Sequence, residues 1–115
     1  MVRLWPRSDP CPGVAAARIH RLQRIEVERF SPLAHGVSPA DGCEETGRPA
    51  AWLWVRMEGW TSRREGVAYL RQPPWHWDQV RQHATLDGEP GVSAGVTKVE
   101  GDGDAGIEIS LVLTG

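Results

Sequence analysis

Lysine is almost missing from this chain: Lys98 is the single one among thirteen basic residues. Cysteine is scarce as well. Cys11 and Cys43 permit one intramolecular bridge at most, and neither sits in a CxxC, so free thiols are expected. No stretch approaches the roughly 20 consecutive apolar residues that span a bilayer. The opening run Arg3-Leu4-Trp5-Pro6-Arg7-Ser8-Asp9 meets no apolar h-region, so a cytoplasmic location without membrane contact is expected.

The signatures of chemistry are missing too. The histidines are His20, His35, His76 and His83, with no HxH, HExxH or CxxC among them. His76 and His83, seven apart, are too distant for joint ligation on a helix, and no metal is expected. Asp102-Gly103-Asp104-Ala105-Gly106-Ile107-Glu108 has oxygen ligands at alternate positions, yet lacks the twelve-residue calcium pattern. A hairpin turn rich in Asp and Gly explains it better. There is no GxSxG, and nothing near Cys43 marks it as an activated thiol. Gly88, Gly91 and Gly95 lack the spacing of a phosphate loop. No catalytic residue and no cofactor are assigned, and an enzyme is disfavoured.

What remains is a globular composition. With 115 residues, 40% apolar and 24% charged, the chain suits one domain with a modest core. Thirteen glycines and nine prolines imply many turns. The net charge of −2 conceals asymmetry: residues 1–30 carry six arginines against three acids, and residues 73–115 carry seven acids against two bases. Such a distribution orients a molecule toward a polar partner or its own copy, unless it is uncorrelated surface charge.

The fold expected is α+β, with about five mainly antiparallel strands and one or two helices packed on the sheet. Residues 1–13 read as an irregular arm, and 14–115 as one domain with a long loop at 31–49. Ala15, Ile19 and Leu22 have helical spacing, while Arg24–Arg29 alternates like a half-buried strand. Ala51–Trp60 and Val67–Gln72 are expected to form a hairpin around the polar Thr61–Gly66 turn. Trp75–Ala84 is the predicted helix, with Trp77, Val80, Arg81 and Ala84 on one face and Asp78 near its N-terminus. Val92–Val99, with a bulge or close approach at Gly95, and Ile107–Leu113 are predicted as the last two strands.

Six tryptophans dominate the functional reading. Leu53, Val55 and Met57 cannot share a strand face with Trp52 and Trp54, so one set lies outside the aliphatic layer. Two adjacent exposed indoles make a costly patch, which a helix, a partner or a ligand must cover. The candidate binding face comprises Trp52, Trp54, Arg56, Trp60, Arg71, Trp75 and His76. The leading expectation is a small interaction or regulatory module holding a protein partner or forming a homo-oligomer. The alternatives are a ligand-binding domain or small enzyme with a Trp-lined cleft near His76 and His35–Glu45, or single-stranded nucleic-acid binding. Stacking aromatics with Arg56, Arg63, Arg64 and Arg71 favour the last, and the negative net charge opposes it.

Overall fold

The computed structural model describes residues 15–43, 49–100 and 105–114. The predicted arm at 1–13 and the Asp102–Asp104 turn lie outside them. Two helices pack on one face of a six-stranded antiparallel sheet, one strand more than expected. In chain order these are α1 (Ala15–Phe30), β1 (Ala34–Cys43), β2 (Pro49–Met57), α2 (Arg63–Leu70), β3 (Trp75–Asp78), β4 (His83–Leu86), β5 (Glu89–Val99) and β6 (Gly106–Thr114). The sheet order is β1-β2-β6-β5-β4-β3.

Four local readings are corrected. The expected strand at Arg24–Arg29 continues α1, because two apolar residues two apart fit a helix margin as well as a strand. Leu22, Ile25 and Phe30 are buried along one helical stripe, and Val27, which a strand would bury with Ile25, is 61% exposed. Ala34–Cys43, expected within the loop, forms β1 along the whole length of β2, from Ala34–Met57 to Cys43–Pro49. It has no apolar alternation because an edge strand gains its place from backbone pairing and needs little side-chain burial.

The second half of the expected hairpin is α2. Ser62 is its N-cap, accepting from the Arg64 amide, and Glu65 returns to the Ser62 backbone to complete a capping box. Gly66 and Leu70 are buried beneath it. The predicted Trp75–Ala84 helix is instead the β3–β4 hairpin. Trp75 and Trp77 alternate with His76 and Asp78, and Val80, which a helix would bury beside Trp77 and Ala84, is 92% exposed at the turn. Asp78 closes that turn by accepting from the Val80 and Arg81 amides at 2.9 and 3.0 Å. The last two strands appear as expected, but Gly95 pairs with Ser110 in unbroken register, without a bulge.

The core is a single layer. Leu53, Val55 and Met57 of β2, Ile109, Leu111 and Leu113 of β6, and Val92 and Ala94 of β5 meet Leu22, Ile25 and Phe30 of α1 and Leu70 of α2. Helix and sheet approach closely at Gly66, where a β-carbon would lie 2.7 and 2.9 Å from the Val96 methyls. No helix among the described residues is long and apolar enough to cross a membrane.

Candidate functional site

Directly paired residues of an antiparallel sheet project from the same face, so the register defines the surface opposite the helices. One row crosses all six strands: Ala40, Trp52, Val112, Ser93, Thr85 and His76. Beside it run Ser38, Trp54, Ser110 and Gly95, then Gly36, Arg56, Glu108 and Thr97. Trp52 and Trp54 are half-buried, alternating with fully buried Leu53 and Val55, and neither indole belongs to the core cluster. Ala40 and Val112 flank Trp52 and Ser38 and Ser110 flank Trp54, with Ser93, Gly95 and Thr97 on the next strand. A β-carbon on Gly42 would lie 3.6 Å from the Trp52 ring, so that ring leans over β1.

Of the seven candidate residues, Trp52, Trp54 and Arg56 come together on this face. Arg56 sits opposite Glu108, with its Nε 3.3 Å from where a Gly106 β-carbon would be. His76 shares the row of Trp52, but four strand steps of about 4.8 Å put it about 19 Å away, and its Nε2 meets Asp87 Oδ1 at 2.8 Å. The other three lie in the helix layer. Trp75 is core, 3% exposed, with its ring centroid 5.8 Å from that of Phe30. Trp60 packs on Tyr69 with centroids 5.7 Å apart. Arg71 is the C-cap of α2, and its Nη2 donates to Gln79 Oε1 at 3.1 Å.

The expected meeting of Trp52, Trp54 and His76 around one pocket does not occur. A cleft of about 180 Å³ lies elsewhere, lined by Glu28, Arg29, Tyr69, Gln72, Pro73, Pro74 and Trp75. That volume falls below the ~300 Å³ at which small-molecule sites begin. No group of three or more His, Cys, Asp or Glu residues able to hold a metal occurs among the described residues.

Charge is handled differently across the molecule. Glu89 receives Arg21 Nε at 2.8 Å and Arg24 Nη2 at 3.0 Å, tying α1 to the start of β5. Burial alone would raise the Glu89 pKa, but the hydrogen bonds and charges of the two arginines outweigh it and hold the carboxyl below its ordinary value. Asp78 is lowered by the Arg81 amide first, with the Val80 amide and the charges of Arg81 and His83 adding to it against desolvation. Glu65 is lowered chiefly by the Thr61 and Ser62 amides. Burial raises the Tyr69 phenol, partly offset by Arg29, whose carbonyl accepts the Tyr69 hydroxyl.

Sequence reasoning missed that Arg63, Arg64 and Arg71 belong to a helix. The readable signal was Ser62-Arg63-Arg64-Glu65, a capping-box spacing taken for a turn. The chain matches no protein-family model, no curated protein and no solved structure.

Proposed function

We propose that this chain is a cytoplasmic protein-interaction module that docks a partner protein, or a second copy of itself, on the sheet face carrying Trp52, Trp54 and Arg56. One observation carries the reading: both indoles lie on the face opposite α1 and α2, outside the core cluster. Tryptophan and arginine are the side chains most enriched where interfaces concentrate their energy. Ser38, Ser110, Ser93 and Gly95 beside the rings are small, which lets another surface approach the backbone closely.

Size supports a sheet-on-sheet contact. Six strands at about 4.8 Å spacing offer about 700 Å² of projected face per copy, and two faces together about 1,400 Å². Four of the strands are nine or more residues long, which gives that face its extent. Such an area lies within the range of specific interfaces. Pairing along the β1 edge is less suitable. Pro39 cannot donate to a neighbouring strand, and the register shifts between Ala34 and Gly36.

The test is size-exclusion chromatography with light scattering on the wild type and on Trp54→Ser, with far-UV circular dichroism as the folding control. A wild-type dimer that Trp54→Ser dissociates, with its circular dichroism unchanged, is the expected result. A monomer whose indole emission shifts with an oligonucleotide or a sugar would replace this reading with a ligand platform. Unfolding of Trp54→Ser would assign the ring to the monomer's own packing.

A further inference from the structure

The tryptophan face is not the only surface built for contact. We propose that α2 and the β3–β4 turn form a second docking surface, which takes an acidic segment of a partner protein carrying an apolar side chain among its carboxylates.

The placement of charge leads to it. At 3.6 residues per turn, Arg63, Arg71 and Arg64 fall within an arc of about 100° on α2. Arg63 Nη2 donates to Gln82 Oε1 at 3.2 Å, and Arg71 Nη2 to Gln79 Oε1 at 3.1 Å, so both ends of α2 are fastened to one turn. Gln82 Nε2 in turn donates to the Gln79 carbonyl at 2.6 Å. Arg81 lies within the same turn, and all four arginines are exposed.

These partners are neutral amides, which orient a guanidinium without cancelling its charge. The two acids nearby are engaged by backbone: Asp78 by the amides of Val80 and Arg81, Glu65 by those of Thr61 and Ser62. Among the described residues, the one ion pair of these four arginines is Arg81 Nε to Asp78 Oδ2 at 3.9 Å. Elsewhere, basic side chains meet acids closely: Arg21 and Arg24 share Glu89, the His35 ring lies against Glu58 and the His76 ring against Asp87. The molecule is negative overall, yet here four cations face two anions.

An apolar feature sits among those charges. Val80 is 92% exposed at the tip of the turn that holds Gln79, Arg81 and Gln82. One exposed valine is ordinary by itself. With Arg81 next to it and Arg63 and Arg71 bonded to Gln82 and Gln79 of its turn, it defines an occupant with acids flanking an apolar side chain. Phosphates would also suit the arginines. Strand binding, however, rests on exposed aromatic faces, and Trp77 here is half-buried with its indole N–H held by Gln79 at 3.2 Å. Val80 offers no ring for a base.

The probe is a fluorescein-labelled synthetic peptide of glutamates and aspartates flanking single leucines, read by anisotropy at low salt. Saturable binding that weakens about ten-fold or more in Arg64→Glu, and again in Val80→Asp, is expected. Lys98→Glu should leave it within about two-fold. Among the described residues the Arg64 side chain makes no hydrogen bond or ion pair, so Arg64→Glu breaks none of these, and circular dichroism checks the fold. Failure to bind, or binding indifferent to Arg64→Glu and Val80→Asp, overturns the proposal. So does an oligothymidylate of equal charge that binds more tightly with the same arginine dependence. Trp54→Ser should bind the peptide like the wild type, which separates this surface from the tryptophan face.

Discussion

Leu53 and Trp54 are neighbours on β2, yet their surroundings share almost nothing. Leu53 points into a layer closed by α1 and α2 and has no exposed surface. Trp54 points the other way, half-buried among Ser38, Ser110 and Gly95. The helix-side row through Leu53 is Pro39, Leu53, Leu111, Ala94, Ala84 and Trp77, mostly aliphatic and closely packed. The open rows mix two large rings with small polar residues. A sheet with one covered face needs aliphatic residues only there. Trp52 and Trp54 stand outside the aliphatic core cluster, which is the observation behind the proposed docking face.

The sharpest way to break this comparison is to truncate each neighbour in turn. Leu53→Ala should cost about 3 kcal/mol, since it removes a fully buried side chain and leaves a cavity between sheet and helices. Trp54→Ser should cost the monomer less than half as much, about 1 kcal/mol. Urea unfolding of both variants checks the order. Equal losses would mean that Trp54 is core in all but position.

Adding a methyl group sharpens the contrast by the opposite route. On the covered face, Gly66→Ala drives a β-carbon to 2.7 Å from a Val96 methyl. Val96 is β-branched and has little rotamer freedom to yield. The overpacking should outweigh the better helix propensity of alanine and leave a net loss of about 1–2 kcal/mol. Adding Val96→Ala should recover most of it, so thermal melts of the two singles and the double form a complete cycle. On the open face, Gly95→Ala meets only the Ser110 hydroxyl, at 3.3 Å. That group can rotate away, and the change should stay within about 0.5 kcal/mol.

The contrast between faces was legible in the sequence at β2 and β6, where strict alternation over long runs admits one reading. Ile107, Ile109, Leu111 and Leu113 are all buried, as are Leu53, Val55 and Met57. Legibility failed where the evidence was short. Ile25 and Val27 gave two points that fit either period, and the Arg24–Glu28 pair four residues apart suits the helix that formed. Trp77, Val80 and Ala84 matched a helix template while Trp75 and Trp77 matched a strand, and tertiary pairing with β4 and β5 decided it. That error and the missed capping box of α2 displaced the site residues: Trp75 went into the core and Arg71 became the C-cap of α2, leaving Trp52, Trp54 and Arg56 together. β1 carried no side-chain signal at all, because its place depends on backbone pairing with β2.

A pH-dependent effect concerns what holds the covering layer at its rim. Glu89 accepts from Arg21 and Arg24, joining α1 to the start of β5, and its carboxyl is held below the ordinary value of 4.5. A carboxyl with a lowered folded-state pKa stabilises the fold above its unfolded value, and the contribution fades as pH falls through the folded value. Glu89→Gln retains the shape and removes the charge, so it should cost about 1 kcal/mol at neutral pH. The gap between wild type and variant should close below pH 4.5, as the native carboxyl takes up its proton. Thermal unfolding of both proteins from neutral to acid pH follows it. A gap that persists undiminished at the acid end would show that Glu89 acts through packing and not through its charge. The α1 contact with the sheet would then rest on the packing of Leu22, Ile25 and Phe30, with Ile19 beside them.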